Sequence, residues 1–173
     1  VLTNILPRSI VKRIKQGELP IVDHVPDVSI LFADLVGFTK ASTELHPNFL
    51  IGLFLRDIFQ EFDELAYKHG LEKIKTIGDA YMAVSGLPVP RPDHAEAMAV
   101  MAIGMQEAFR GVMRNRGLPL ELRVGMHSGP VAAGVIGRQK FTYDLWGDTV
   151  NVASRMESSG MPGRIHLSEQ TRA

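Results

Sequence analysis

The stretch at 28–33, VSILFA, is an almost unbroken apolar run, and Asp34 follows it directly. A short apolar run without alternation is the pattern of a central strand buried on both faces. A carboxylate placed straight after it is costly to desolvate unless a partner such as a cation meets it. The chain therefore needs a sheet whose middle strand ends on a charge that something must satisfy.

The surrounding pattern supplies such a sheet. At 1–18, Leu2, Ile5, Leu6, Ile10 and Ile14 recur at helical spacing, interrupted by Pro7, with Arg8, Lys12, Arg13 and Lys15 opposite. This predicts a short amphipathic lead-in helix. Residues 1–26 read as a lead-in and linker from an upstream region, and 27–173 as one domain. DLVGFT at 34–39 has the look of a turn opening a helix. Leu50, Leu53, Phe54, Ile58, Phe62 and Leu65 predict an amphipathic helix over 47–68, ended near Gly70. At 71–86, two β-rich halves flank Gly78-Asp79, which predicts a tight hairpin. Met98, Ala102, Met105, Phe109 and Val112 put one face of a second helix, 93–116, into the core, with the methionines as filler.

Residues 120–136 read as a strand, a Gly-Pro turn and a second strand, and 141–146 as another strand. The segment 148–160 reads as a short helix from an Asp148 N-cap to Gly160. A last strand is predicted at 164–168, with a helix opening at Ser168. The order is β-α-β-β-α-β with additions. It predicts a ferredoxin-like α+β sheet with helices packed on one face.

Composition closes off other classes. Lys+Arg and Asp+Glu both number 19, so a broad basic footprint for nucleic acid is absent. There is no cysteine, which removes disulfides and thiolate chemistry and fits a reducing compartment. No stretch of about 18 apolar residues spans a membrane. The start at Val1 rather than Met suggests a piece of a longer protein. His127 and His166 are isolated, with no zinc spacing. Gly125, Gly129, Gly134 and Gly137 lack P-loop spacing and read as turns and close backbone approaches.

Two groups of residues carry chemistry. In a β-α-β-β unit the first strand and the hairpin are sheet neighbours, so Asp34 and Asp79 share one sheet edge. Two carboxylates plus substrate phosphates are the usual way to hold magnesium. A helix cap is the competing, less favoured reading of Asp34 alone, and Asp79 alone reads better as a turn residue; the pair points to metal ions. Asn151 and Arg155, four apart on one short helix, share a face, and arginine offers a donor fork suited to phosphate.

FADLVGFT at 32–39, EKIKTIGDAYMAVSGLP at 72–88, LRVGMHSGPV at 122–131 and YDLWGDTVNVASRMES at 143–158 together resemble the class III adenylyl/guanylyl cyclase catalytic domain. The likeness is greatest to bacterial adenylyl cyclases with mammalian-type active sites. It implies that Asp34 and Asp79 hold two Mg2+ ions, with Mn2+ also serving, and that Leu35 offers a backbone carbonyl. It implies that Arg123 contacts the substrate phosphates, Asn151 orients the ribose and Arg155 stabilises the transition state. Lys75 and Asp144 match the pair that reads the base, and Phe38 an aromatic beside the nucleotide.

The family works as a head-to-tail dimer, which implies a homodimer with ATP sites at the interface. One chain would supply Asp34, Asp79 and Arg123, and its partner Lys75, Asp144, Asn151 and Arg155. The resemblance implies a cytoplasmic domain that inserts into no membrane and binds no nucleic acid. The family ordinarily runs some tens of residues past the position of Ala173, in a stretch carrying another phosphate-contacting lysine. The C-terminal end therefore reads as truncated.

The reading is adenylyl cyclase, making cyclic AMP and pyrophosphate from ATP. A guanylyl cyclase is the alternative within the class, and a catalytically silent dimerisation or nucleotide-sensing module the alternative outside it. The intact set Asp34, Asp79, Asn151 and Arg155 argues against silence. A ferredoxin-like nucleic-acid binder fails on net charge and on the missing aromatic motif.

Overall fold

The computed structural model describes residues 5–49 and 54–173; the apolar positions Leu2, Leu50 and Leu53 lie outside them. The central strand β1 (Val22–Val36) is longer than the apolar run at its middle, and residues 28–33 are buried throughout. The other strands are β2 (Glu72–Ile77), β3 (Ala80–Ser85), β4 (Glu121–Ile136), β5 (Thr142–Trp146) and β6 (Ile165–Leu167). Their order is β2-β3-β1-β4-β5, antiparallel at each step, and β6 pairs in parallel with the Val124–Met126 part of β4. The four strands β2-β3-β1-β4 form the expected ferredoxin-like core, and β5 and β6 extend it along the outer edge of β4.

The helices are α1 (Arg8–Lys15), α2 (Phe38–Glu44), α3 (Pro47–Phe49), α4 (Arg56–His69), α5 (His94–Arg116), α6 (Asp148–Ser158) and α7 (Glu169–Arg172). Among the described residues, none is long and apolar enough to cross a membrane. The face of the sheet with Leu31, Ala33 and Leu35 is covered by Phe54, just before α4, and by α4 and α5 through Ile58, Phe62, Met98, Met105 and Phe109. Side chains of this size each contribute roughly 1.5–3 kcal/mol when fully buried. The methionines of α5 are core filler, as their spacing indicates. Helices also lie on the other face: Ile10 and Val11 of α1 and Ala153 of α6 pack with Ile30, Phe32, Met82, Val84, Tyr143 and Leu145.

Three local expectations are corrected. Gly129-Pro130 is not a turn, because β4 runs through it as one strand. Proline has no N–H to give a ladder. The β1–β4 register slips opposite Pro130, between Val25 and Val28, where Pro26 also lies, so the strands bend there without parting. Asp34 is not at the strand end, since β1 continues to Val36 before Gly37 turns it at φ 88°. The cap of α6 is Gly147, with Asp148 inside the first turn, and the helix ends at Ser158 rather than Gly160.

β2 and β5 lie at opposite ends of the strand order, yet Lys75 Nζ of β2 is 2.8 Å from Asp144 Oδ2 of β5. The sheet curls around the second core until its two edges meet.

Glu72, opposite Val84 on β2, is half-buried, and burial pushes its carboxyl up to about 7. Its charge is felt by Tyr81 and Tyr143. The folded chain keeps a proton there that the unfolded chain releases near pH 4.5. Stability is therefore lost as pH rises from that value to about 7. Glu72→Gln should match the parent in urea unfolding at pH 4 and show the higher midpoint at pH 8.

Candidate active site

Asp34 sits in register between Ala80 of β3 and Arg123 of β4. The hairpin turns at Gly78, φ 59°, which places Asp79 immediately before Ala80 at the tip. One step across the sheet thus joins the two carboxylates that the sequence put on a common edge. The Asp79 carboxyl is pushed up, first by burial and then by the charge of Asp34, with a hydrogen bond between the two groups adding to it.

Arg123 closes the cluster from β4. Its Nε donates to Glu157 Oε1 at 2.7 Å, and its Nη2 lies 3.8 Å from Asp34 Oδ2. The Glu157 carboxyl is pushed up by burial, while Arg123 pulls it back down and Asp34 raises it further. Glu157 is the member of the site that sequence reasoning missed. A signal for it existed: it follows Thr149 and Ala153 at steps of four, on the buried face of α6.

The opposite face of α6 carries Asn151 and Arg155, both exposed. The Arg155 side chain is 66% exposed, and its Nη2 is 4.0 Å from Asp148 Oδ1. The helix sits this low on the sheet because β4 has glycine beneath it. A Cβ on Gly125 would fall inside the backbone of Met156 and Glu157, and one on Gly129 would press Thr149. A Cβ on Gly134 would meet the Ile21 carbonyl. These three glycines are close approaches, and Gly137, φ 105°, is a turn.

Lys75 and Asp144 form a separate group. Asp144 is 13% exposed and Lys75 40%, and Asp144 Oδ1 also accepts from the Leu145 backbone N–H at 2.8 Å. Leu35 buries its side chain under α4 and α5, and its N–H donates to Asp34 Oδ1 at 2.9 Å. Phe38 opens α2 and packs against the same core, half-buried.

Among the described residues, no three or more histidines and carboxylates form a complete metal cage. The oxygen donors at the hairpin tip still fit magnesium, which keeps several waters and takes one or two carboxylates plus phosphate oxygens. The like-charge strain on Asp79 is what a cation between Asp34 and Asp79 relieves.

A model of the family described as the adenylate and guanylate cyclase catalytic domain matches residues 22–173. An adenylate cyclase of Mycobacterium tuberculosis is 48% identical over 171 residues, covering 98% of this chain and 38% of that protein. A membrane guanylyl cyclase of Dictyostelium discoideum is 42% identical over 172 residues, 99% of this chain and 12% of that protein. The chain thus spans well under half the length of these relatives. Among solved structures, the catalytic core of a rhodopsin-guanylyl cyclase with converted specificity, in complex with ATPalphaS, superposes with a TM-score of 0.82 at 38% identity. That match covers 87% of this chain and 81% of the other.

Gly125→Ala tests the seat of α6. The added methyl cannot be absorbed by a flexible side chain, since what it meets is backbone. Overpacking of this kind costs about 1–3 kcal/mol. Urea unfolding should show a loss at the upper end of that range, whereas Gly111→Ala, which meets open space, should not destabilise.

Proposed function

Because this chain belongs to the adenylate and guanylate cyclase catalytic domain family, we propose that it converts ATP to 3′,5′-cyclic AMP and pyrophosphate at sites shared by two copies arranged head to tail. The single observation that carries the reading is the division of α6. Glu157, on its buried face, belongs to the Asp34–Asp79–Arg123 cluster, while Asn151 and Arg155 point the other way into solvent. A chain cannot bring Arg155 to its own carboxylates, and a second copy can.

In each site one chain holds the triphosphate. Asp34, Asp79 and the Leu35 carbonyl are the oxygen donors for two Mg2+ or Mn2+ ions, and Arg123 meets phosphate oxygens beside them. When bound, such ions neutralise phosphate charge and lower the pKa of a hydroxyl nucleophile. The partner's Asp144 and Lys75 receive the base and its Asn151 orients the ribose. Phe38 is an aromatic beside the nucleotide. The ribose 3′-oxygen forms its bond to the α-phosphorus as the bond from that phosphorus to the β-bridging oxygen breaks. Pyrophosphate leaves, and the 3′-hydroxyl proton passes to water. The attack is intramolecular, so orientation supplies much of the acceleration. Arg155 meets the charge that develops, and such preorganised donors are each worth about 3–4 kcal/mol of barrier. ATP and Mg2+ are supplied in the cytoplasm, and the domain works there.

The base pair of residues selects ATP. Lysine can only donate and an ionised aspartate can only accept. Adenine offers an acceptor at N1 and a donor at its 6-amino group, which match Lys75 and Asp144; guanine offers the reverse. A site built on such polar matching rejects the wrong partner by up to about 10⁴.

Two measurements check this. The kcat/KM for ATP should exceed that for GTP by at least about a hundredfold, and Lys75→Glu with Asp144→Cys should erode the preference; equal use of both nucleotides by the unmodified protein sinks the ATP reading. Asp34→Ala and Arg155→Ala chains should each be inactive alone and regain activity when mixed, since one of two sites in the heterodimer is whole. Heterodimers shown to form and yet inactive would rule out shared sites.

A further inference from the structure

Arg123 has two carboxylates within reach and hydrogen-bonds only one. Its Nε donates to Glu157 at 2.7 Å, while Asp34 stays 3.8 Å from Nη2. The favoured arrangement of arginine with a carboxylate is a two-pronged pair. Asp34 is directly opposite Arg123 in the ladder, so nothing in the backbone prevents that pair from forming. If it formed, it would consume both the charge of Asp34 and the forward edge of the guanidinium.

We propose that Glu157 is a positioning residue for the phosphate-binding half of the site. By taking the Nε edge of Arg123 it turns the two Nη groups outward for phosphate, and it holds the guanidinium off Asp34 so that this carboxylate remains open to a cation. Glu157 can do this because it is fixed from behind. Its side chain is 11% exposed, and its backbone lies directly on Gly125, two residues along β4 from Arg123. A carboxylate on a mobile arm would follow Arg123; one seated on the sheet directs it. The inference rests on the reading of Arg123 as a phosphate contact and makes no use of the partner chain.

The test is equilibrium binding of inorganic pyrophosphate in the presence of Mg2+, followed by calorimetry on the full chain, with ATP turnover beside it. Glu157→Gln keeps an oxygen to accept from Nε and should bind within about threefold of the parent. Glu157→Leu fills the space without an acceptor and should weaken pyrophosphate binding about tenfold or more, the worth of a charged hydrogen bond. It should raise KM for ATP more than it lowers kcat. Circular dichroism and melting confirm the fold, with Glu157→Met as the replacement where the leucine is not accommodated. Arg123→Ala should weaken binding to a similar degree, and the Arg123→Ala, Glu157→Leu double variant should bind no worse than Arg123→Ala alone. Unchanged binding in Glu157→Leu, or losses that simply add in the double variant, would overturn the role of Glu157. Unchanged binding in Arg123→Ala would instead overturn Arg123 as a phosphate contact, and with it the need for a positioning residue.

Discussion

β1 and β4 are paired from Val28/Gly129 to Val36/Glu121 and again, beyond the slip at Pro26, from Val22/Gly134 to Val25/Val131. Most of the site follows from that ladder. Its long straight part sets Asp34 opposite Arg123, and β3, on the other side of β1, brings the hairpin tip with Asp79 to the same place. On its outer edge β4 carries β5, whose Asp144 meets Lys75 of β2. Its glycines decide how closely α6 approaches. Any residue larger than glycine at 125 would lift Glu157 away from Arg123. One pairing therefore sets a carboxylate pair, an arginine and the height of a helix.

Helix periodicity does the rest. Positions 149, 153 and 157 of α6 fall on the sheet, and 151 and 155 fall half a turn away. A helix with chemistry on both faces serves two places at once. In the single chain the outer face meets water, and in the proposed head-to-tail pair it would face the other copy's carboxylates. The seat on Gly125 holds Glu157 against Arg123, and on the proposed reading it also sets where Arg155 stands for the other site. Small changes beneath α6 should reach both.

Much of this was legible in the sequence, for reasons that differ by element. The apolar run before Asp34 and the Gly78-Asp79 turn are local signals, and one topological rule places them side by side. The amphipathic helices α4 and α5 follow from spacing alone. Gly129-Pro130 misled because turn chemistry is the stronger local prior. Only the register slip in the partner strand, at Pro26, lets a proline lie within a long strand. Glu157 went unread because an acid in a short helix looks like solvated surface until the helix is phased against the sheet. The contact between Lys75 and Asp144 joins opposite edges of one sheet, so no local pattern announces it; the resemblance to known cyclases paired them instead.

If Lys75 and Asp144 read the base as proposed, their contact with each other also removes a cost. A half-buried lysine and a mostly buried aspartate would each suffer from desolvation if left alone. Paired at 2.8 Å, with the Leu145 N–H on the second oxygen of Asp144, each satisfies the other. An incoming base must replace that pairing with contacts of equal quality. Adenine can, because it presents an acceptor to the lysine and a donor to the aspartate. Guanine would set its N–H against the ammonium and its carbonyl against the carboxylate, and the original ion pair would be lost with nothing in return. On the proposed reading, selectivity comes less from attraction to adenine than from the penalty of breaking a satisfied pair for the wrong base. The curl of the sheet, with register slips in β1 at Pro26 and in β2 beside Lys75, brings the two edges together.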